Sequence, residues 1–333
     1  MAGLLDTVKA QTTAVETVRR ALATGRVHHA YLFDGPEGVG KERTAFGLAQ
    51  ALVCERRAEG QAQACGACSA CTRAVPREPG ATPLHPDVVV LERGLYDPAT
   101  LGRKSPETQE LSIDQVRTLV LARAAFGPHE GRAKVFIVRR AEEMSIAASN
   151  ALLKTLEEPG ARTHFVLLSA TPDALLPTIR SRTQRVRFGA LPDAVVTDLL
   201  VERGVDATRA KDIAVLSGGS MATASTLADP DASARREDFV SRAMAALGAP
   251  TTGPALDLAT DAKQADKIAL AAYIEAFAAA LAAEARASAG AGDRRADQAA
   301  ARHALALAAI QQLDANASNQ LAMESMLLRM RGL

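Results

Sequence analysis

The chain reads Ala-Tyr-Leu-Phe-Asp-Gly-Pro-Glu-Gly-Val-Gly-Lys-Glu from residue 30 to residue 42. An apolar run over Ala30–Phe33 leads into a glycine-rich loop, and a helical pattern follows over Lys41–Cys54. In this order of strand, loop and helix, successive backbone N–H groups and a helix N-terminus surround a phosphate group. The spacing is that of a P-loop and predicts an α/β domain. The candidate phosphate-binding residues are Gly35, Gly38, Gly40 and Lys41.

The loop lacks two features with which a P-loop enzyme holds Mg²⁺. The residue after the lysine is Glu42, where a Ser or Thr hydroxyl normally binds the metal. A second predicted strand, Val135–Val138, ends in Arg139 and Arg140, where acidic residues normally hold Mg²⁺ and activate water. We therefore expect ATP or ADP binding that is weak or absent, and negligible hydrolysis by the chain alone. The alternative is a loop retained only as a structural turn.

Four cysteines lie close together in the sequence after the predicted helix. They are Cys54, Cys65, Cys68 and Cys71, and the last three have the two-residue separation that brings sulfur atoms to one tetrahedral ion. Four thiolates leave no coordination position open for water, so a structural site is expected. Zn²⁺ is the expected metal, and an iron–sulfur cluster is the alternative.

The composition excludes several classes of protein. The 333 residues are 48% hydrophobic and 23% charged, which is typical of a globular protein with two or three domains. A formal net charge of +1 provides no strong field for binding nucleic acid, and 3% aromatic residues argue against a base-stacking surface. The sequence contains no recognisable secretory signal or membrane-spanning stretch, so a cytoplasmic protein is expected.

The sequence changes character along its length. Up to about residue 188, β-rich apolar runs alternate with helical patterns, which predicts a largely parallel sheet. The predicted strands are Ala30–Phe33, Val88–Leu91, Val135–Val138, Phe165–Leu168 and Thr183–Phe188. The rest of the chain has a helical pattern and is rich in alanine in its last hundred residues, with a predicted loop over residues 287–297.

Five stretches of the chain together carry a family resemblance. They are His29–Phe33 before the P-loop, the four-cysteine segment, His85–Asp87, Ser145–Pro159 and Thr178–Gln184. With these stretches the chain resembles the bacterial clamp-loader AAA+ family of DNA polymerase III, and most closely its delta-prime subunits. The run Asn-Ala-Leu-Leu-Lys-Thr-Leu-Glu-Glu-Pro within Ser145–Pro159 is highly specific. The resemblance covers residues 1 to about 225, and the C-terminal hundred residues share only helical character.

The resemblance implies an architecture of three parts. Residues 1–188 are expected to form an α/β P-loop NTPase (AAA+) domain with a parallel sheet and a zinc insertion at about 54–83. Residues 189–230 would form a small helical lid domain, and residues 231–333 an all-α collar domain for oligomerisation.

The same resemblance implies a place in the DNA polymerase III holoenzyme. The family forms a five-subunit assembly that uses ATP to open a ring-shaped sliding clamp and place it on primer-template DNA. The implied partners are the tau/gamma motor subunits, the delta subunit and the sliding clamp. DNA would be contacted only within the complex, and no membrane is involved.

The resemblance also implies roles for individual residues. In the family's Ser-Arg-Cys motif the arginine is offered to ATP on the neighbouring subunit, and this motif matches Ser181-Arg182-Thr183. Arg182 is therefore expected to be an arginine finger in trans, with Arg180 as the alternative, and an ordinary solvated basic face as the simplest competing interpretation. Ser169 matches the residue that senses the γ-phosphate and is expected to be vestigial. Ala222 stands where the motor subunits carry arginine.

Three functions are compatible with these patterns. The first is a largely non-hydrolysing delta-prime-type subunit that braces the clamp loader and completes a neighbour's ATP site. The second is an ATP-hydrolysing motor subunit of the same family, which needs Mg²⁺ ligands that this sequence lacks. The third is a zinc-containing nucleic-acid-binding protein whose P-loop is only scaffold, and the near-zero net charge argues against it.

Overall fold

A computed structural model describes residues 3–78, 80–104, 110–265, 267–288, 294–314 and 317–333. The chain divides into two compact units, Met1–Ala224 and Ser225–Leu333. Among the helices of these described ranges, none combines the length and apolar character that a membrane crossing requires. The first unit contains the P-loop and the four cysteines, and it is described first.

The centre of the first unit is a five-stranded parallel sheet with the strand order β2-β3-β4-β1-β5. The strands are β1 (Ala30–Asp34), β2 (Val88–Leu91), β3 (Lys134–Val138), β4 (Thr163–Ser169) and β5 (Gln184–Arg187). All residues of the first four strands except His164 are buried, in keeping with their runs of Val, Leu, Ile and Phe. The structure thus confirms the predicted α/β domain with a parallel sheet, and each predicted strand is present with ends shifted by at most two residues.

The helices of this unit connect the strands and then continue beyond them. Those up to β5 are α1 (Thr12–Ala23), α2 (Lys41–Val53), α3 (Ser69–Arg73), α4 (Ile113–Gln115), α5 (Ala122–Ala124), α6 (Ile146–Glu157) and α7 (Pro177–Arg180). A π-helical stretch, Val116–Leu121, joins α4 to α5. Short 3₁₀ turns lie at Leu4–Thr7, Pro98–Leu101, Ala141–Glu143 and Pro172–Ala174. After β5 follow α8 (Asp193–Val201), α9 (Ala207–Leu216) and α10 (Met221–Ala228).

Helices cover both faces of the sheet. On one face, alternate strand residues such as Leu32, Phe136 and Phe165 pack with the π-helical stretch, α6 and α7, and the Phe136 and Phe165 rings stack at 5.1 Å. On the other face, α2 contacts β3 and β4, and α1 contacts β5. Because all strands are parallel, the carboxyl ends of β3, β4 and β1 lie side by side at one edge, where open α/β sheets bind their ligands.

The second unit is helical throughout its described residues. Its helices are α11 (Pro230–Gly248), α12 (Gly253–Asp261), α13 (Lys267–Ser288), α14 (Arg294–Asp314) and α15 (Asn319–Arg331), with a 3₁₀ turn at Ala262–Gln264. Its core combines many alanines with Leu, Ile, Phe and three methionines of α15. The predicted loop over 287–297 was too long, because α13 extends to Ser288 and α14 begins at Arg294; its middle lies outside the described residues.

Candidate phosphate-binding cleft and cysteine cluster

A cleft of about 890 Å³ lies at the carboxyl edge of the sheet. Its walls come from the N-terminal segment, the P-loop, the residues after β3 and β4, and helices α8 and α10. The lining includes the apolar side chains Val8, Leu191, Leu199 and Met221 as well as charged side chains of the P-loop and of the residues after β3. The cleft therefore has the mixed lining that a nucleotide-sized ligand requires.

Two P-loop glycines permit close contacts that define the shape of this cleft. Gly35 has a φ of 142°, and a Cβ atom there would overlap the backbone carbonyl of Phe188. Gly38 has a φ of 75°, and a Cβ atom there would overlap the backbone nitrogen of Ala222, at the start of α10. Ser220 strengthens this contact, because its hydroxyl donates to the Glu37 carbonyl over 2.7 Å. The start of α10 is thus held directly against the P-loop.

Lys41 begins α2 and is bonded to its own loop. Its ammonium group donates to the carbonyl of Pro36 at 2.6 Å and to that of Gly35. Burial lowers the pKa of Lys41 below its usual value, although the carboxylates of Glu37, Glu142 and Asp34 act in the opposite direction. Thr44, two residues after Glu42, is not directed at the phosphate position, since its hydroxyl donates to the Gly40 carbonyl over 2.9 Å.

The two residues that break the Mg²⁺-binding pattern form an ion pair with each other. Arg139 Nη2 lies 2.6 Å from a Glu42 oxygen, and Arg139 Nη1 lies 2.7 Å from a Glu92 oxygen. Only 6% of the Arg139 side chain is exposed. Burial by itself lowers the pKa of Arg139, but the carboxylates of Glu42 and Glu92 raise it above its usual value. Both carboxylates are therefore committed to the guanidinium and not to a divalent cation.

Arg139 also bonds to backbone of the cysteine-containing insertion. Its Nη1 donates to the Gly80 carbonyl at 3.0 Å and its Nη2 to the Ala81 carbonyl at 3.3 Å. The guanidinium lies 5.9 Å from the centre of the Phe46 ring on α2. One buried side chain thus connects the P-loop helix, the end of β2 and the returning limb of the insertion.

Arg140 lies next to this pair in a backbone conformation that is unusual for a side chain of its size. Its φ is 43°, in the left-handed region. Its guanidinium lines the cleft, is 40% exposed, and lies 3.4 Å from a Glu37 oxygen and 3.8 Å from a Glu143 oxygen. At these distances the two ion pairs are loose, so the guanidinium can pair with another anion at low cost.

Two polar atoms, on residues that line the cleft, lack a partner among the described residues. They are the hydroxyl of Ser169, a residue only 1% exposed, and one carboxylate oxygen of Glu142. The other Glu142 oxygen accepts a hydrogen bond from the Ala170 amide over 3.0 Å. A buried hydroxyl without a partner is costly, which makes a ligand contact at Ser169 favourable.

Arg182 lies outside this cleft, between α7 and β5. Its Nε donates to a Glu157 oxygen at 2.7 Å, and its Nη1 donates to the Thr178 carbonyl at 3.0 Å. The side chains of Arg182 and Glu157 are 34% and 47% exposed. Arg180 has a different partner, Asp173, at 2.5 Å. The pairing directs Arg182 along the end of α6, and Arg180 is held separately.

The four cysteine sulfurs converge on one point. The Cys54 and Cys68 sulfurs are 4.0 Å apart, those of Cys65 and Cys71 are 3.9 Å apart, and all four lie within 4.8 Å of one another. A tetrahedral ion with Zn–S bonds of about 2.3 Å requires sulfurs separated by about 3.8 Å, so the arrangement fits such an ion. The Ala67 and Cys68 amides lower the pKa of Cys65 to about 6, whereas burial raises that of Cys71.

The His85-Pro86-Asp87 motif has a structural role in this chain. The Asp87 carboxylate accepts hydrogen bonds from the backbone amides of His129, Glu130 and Gly131 at 2.6 to 2.8 Å. Burial alone would raise the pKa of Asp87, but these three amides hold it below its usual value. The motif thus anchors the loop before β3 to the residues before β2.

Several known proteins are similar to this chain. A protein-family model described as "DNA polymerase III, delta subunit" matches residues 10–192. The chain belongs to this family. The DNA polymerase III subunit delta' of Pseudomonas aeruginosa is 39% identical over 204 residues, which cover 60% of this chain and 55% of that protein. The gamma/tau subunit of Mycobacterium tuberculosis is 40% identical over 181 residues, covering 54% of this chain and 28% of that protein.

Among solved structures, a DNA polymerase III gamma subunit-related protein from Thermotoga maritima aligns over 95% of this chain and 98% of its own, with a TM-score of 0.47 and 18% identity. This chain spans about half the length of the delta' relatives and about a quarter of the gamma/tau relatives. The resemblance to delta-prime subunits of DNA polymerase III is confirmed by the family match and the curated delta' relatives.

In this DNA polymerase III family member, the structure groups the predicted site residues into three places. Gly38, Gly40, Lys41 and Ser169 line the cleft, the four cysteines form the separate cluster, and Arg182 lies at neither. The bond between Glu42 and Arg139 was not predicted from the sequence. The available signal was that both positions depart from the P-loop pattern and that the two side chains have opposite charges.

Proposed function

We propose that this chain is a largely non-hydrolysing, delta-prime-type subunit of the DNA polymerase III clamp loader. In this role it braces the complex and supplies Arg182 in trans to ATP bound by a neighbouring motor subunit, in support of loading the sliding clamp on DNA during replication. Its partners are the tau/gamma motor subunits, the delta subunit and the clamp, and it meets primer-template DNA only within the complex. The curated relatives named as DNA polymerase III subunits support this assignment.

The observation that carries the proposal is the ion pair between Glu42 and Arg139. These positions would hold Mg²⁺ in an active P-loop enzyme, and here their charges neutralise each other. Without the metal, the charge that develops on a transferred phosphoryl group is not stabilised, so hydrolysis at this site is negligible. Ser169 is then a vestige of an active site, and Ala222 provides no arginine.

The surroundings of Arg182 support its role as a finger. Its ion pair with Glu157 is partly exposed, and such pairs contribute less than about 1 kcal/mol. Arg182 can therefore exchange Glu157 for a phosphate oxygen on a neighbouring subunit, and phosphate is the stronger partner because of its greater charge. An arginine that acts in trans contributes about 10³- to 10⁵-fold to hydrolysis in well-studied NTPases.

The remaining parts of the chain have supporting roles in this proposal. The cysteine cluster holds one structural Zn²⁺, which orders an insertion that has few apolar residues of its own. Residues 189–230 act as the lid domain, and residues 231–333 act as the collar through which the subunit associates with its neighbours. Alanine-rich helices suit such a collar because small side chains allow close helix packing.

The decisive experiment is a reconstitution of the clamp loader from this chain and its motor and delta partners. Clamp- and DNA-stimulated ATPase is measured for the wild type and for Arg182→Ala, after gel filtration has shown equal assembly. We expect the variant to lose about one motor site's share of the ATPase rate, because one catalytic arginine is removed. Arg180→Ala is the matched control, since this arginine is nearby and also paired with a carboxylate.

Four outcomes would contradict parts of the proposal. An unchanged rate in Arg182→Ala excludes the finger, and a loss in Arg180→Ala alone moves the role to that residue. ATP turnover by the purified chain that disappears in Lys41→Ala identifies a motor subunit. Tight, salt-resistant DNA binding by the isolated chain would instead favour the nucleic-acid-binding function.

A further inference from the structure

We propose that the cleft of this chain binds the polyphosphate group of a nucleotide without a divalent cation, and that Arg140 takes the electrostatic place of Mg²⁺. The proposal rests on the P-loop's inability to hold Mg²⁺, which is part of the proposed function, but it does not depend on Arg182. The proposed function assigns no ligand to this cleft, whereas the Mg²⁺-free site assigns it a nucleotide and a contact from Arg140.

Several cationic side chains line the cleft. Arg139 is saturated by two carboxylates and two carbonyls and is almost fully buried, so it cannot reach a ligand without breaking these contacts. Arg140 borders the same cleft, is 40% exposed, and has only loose ion pairs at 3.4 and 3.8 Å. Of these two arginines, Arg140 is thus the one whose guanidinium can form a two-point contact with phosphate oxygens.

The cleft also contains a buried hydrogen-bond donor that lacks a partner among the described residues. The Ser169 hydroxyl is buried and unpartnered among the described residues, and Ser169 lines the cleft at the end of β4. The P-loop and the N-terminus of the 13-residue helix α2 add backbone N–H groups, with Lys41 at the same place. A phosphate oxygen accepts hydrogen bonds from all of these groups, whereas a cation accepts none.

The carboxylates of the cleft are poorly placed to hold Mg²⁺. Mg²⁺ requires six oxygen ligands in near-octahedral geometry, and the carboxylates of Glu42 and Glu92 are bound to Arg139. Glu142 offers one unpartnered oxygen, which cannot hold the ion alone and which reduces the attraction for phosphate. Because charges of both signs line the cleft in nearly equal number, we expect modest affinity for a metal-free polyphosphate and exclusion of its Mg²⁺ complex.

The apolar side chains of the cleft indicate what the ligand carries besides its phosphate groups. The apolar side chains that line the cleft, Val8, Leu191, Leu199 and Met221, suit a flat base better than they suit more phosphate. A nucleoside diphosphate would therefore bind more tightly than pyrophosphate. This difference separates a nucleotide from an inorganic polyphosphate as the source of the phosphate group.

The test is calorimetric titration of the full-length chain with ADP and with pyrophosphate, in EDTA and in excess MgCl₂. We expect ADP to bind in EDTA, to bind about ten-fold more weakly in MgCl₂, and to bind more tightly than pyrophosphate. An ADP affinity that is unchanged or increased by Mg²⁺ overturns the proposal, as does the absence of any binding in EDTA. Pyrophosphate binding equal to that of ADP would overturn the assignment to a nucleotide.

The variant for this test is Arg140→Asn, because asparagine tolerates a positive φ better than most residues and the fold should persist. We expect its ADP affinity in EDTA to fall about ten-fold or more, with a melting temperature equal to or above that of the wild type. The matched control is Arg103→Asn, which also removes an arginine that pairs with a carboxylate, that of Asp114, away from the cleft. Wild-type ADP affinity in Arg140→Asn would refute the role of Arg140.

The outcomes also separate this proposal from the proposed function. Absence of ADP binding refutes the Mg²⁺-free site and leaves the Arg182 finger untouched. Hydrolysis of ATP with Mg²⁺ by the isolated chain refutes both. A loss of clamp-loader ATPase in Arg182→Ala, together with ADP binding in EDTA that MgCl₂ weakens, supports both.

Discussion

Gly38 is the residue at which the P-loop and helix α10 make their closest contact. Its backbone is in the left-handed region, and the start of α10 occupies the space that a side chain would need. The residue is therefore constrained by both conformation and packing, and this distinguishes it from glycines that serve only in turns.

We predict that Gly38→Ala destabilises the fold by about 2–4 kcal/mol, measured by urea unfolding. About 1–2 kcal/mol comes from the left-handed backbone, and the rest from the overlap with Ala222. The control is Gly204→Ala, where φ is 88° but no atom lies within 4 Å of the new methyl group. It should cost only about 1 kcal/mol. Equal losses in the two variants would show that the contact with α10 is not tight.

Asp87 leads to a prediction about acid stability. Three backbone amides hold its pKa below the usual value despite burial, so the folded state favours the ionised carboxylate. Its contribution to stability is fully present above the unfolded-state pKa, about 3.9, and is lost as the pH falls through the lower folded-state pKa. Asp87→Asn should therefore flatten the loss of stability below about pH 4, followed by circular dichroism.

The same substitution should cost about 2–3 kcal/mol at neutral pH, because charge-assisted hydrogen bonds to amides are lost. Asp206→Asn serves as the control, since Asp206 caps helix α9 at an exposed position and Asn caps equally well. If Asp87→Asn and the wild type lose stability in parallel below pH 4, the anchoring role of Asp87 is wrong.

At the scale of elements, the cysteine insertion depends on α2 at both of its ends. Cys54 directly follows α2, and Gly80 and Ala81 bond to Arg139, which in turn bonds to Glu42 in the first turn of the same helix. On the face covered by the π-helical stretch, α6 and α7, the sheet has an extensive core whose described residues include no cysteine. The insertion should thus lose its order without unfolding the sheet.

We predict that removing the metal with a chelator loosens the insertion over about 55–83 and leaves the P-loop domain folded. Hydrogen exchange should increase in the insertion and stay slow in strands such as Val135–Val138, which is buried and pairs with a strand on each side. A Cys68→Ser variant, which removes one thiolate ligand, should behave like the chelated protein. Cooperative unfolding of the whole chain on chelation would contradict this independence.

The elements of the first unit could largely be predicted from sequence. Val88–Leu91 was predicted with the bounds that the structure has, because a run of β-branched and apolar residues bounded by polar residues permits few other structures. The spacing of Cys65, Cys68 and Cys71 likewise predicted that their sulfurs meet. The bond between Glu42 and Arg139 could not be predicted in this way, because 97 residues separate them and only the sheet order brings them together.

At the scale of the whole molecule, the two units have separate hydrophobic cores. The core of the first includes strand residues and the helices that cover them, and that of the second combines alanine, leucine and methionine with phenylalanine and isoleucine from five helices. Sequence patterns predicted helices in the second unit but not their division. Alanine fits both the buried and the exposed side of a helix, so its periodicity is weak.

We predict that residues 1–228, which comprise the first unit and the whole of α10, fold when expressed without residues 229–333 and bind one equivalent of metal. The cut follows α10 and precedes α11, so no helix is interrupted. The measurements are circular dichroism, melting temperature and metal content, with the full-length chain as the reference. The fragment should fail to join the clamp loader if residues 231–333 are the collar. A fragment without a cooperative melting transition would show that the two units do not fold independently.

The ion pair between Glu42 and Arg139 also restricts the evolutionary history open to this chain. A return to hydrolysis needs a hydroxyl at position 42 and an acid at position 139. Changing Glu42 alone leaves a buried guanidinium with one carboxylate partner fewer, and changing Arg139 alone to an acid places three carboxylates together with Glu92. Each single step is destabilising and restores no activity, so the two changes must occur together. In the proposed non-hydrolysing subunit, this ion pair would therefore act as an epistatic trap.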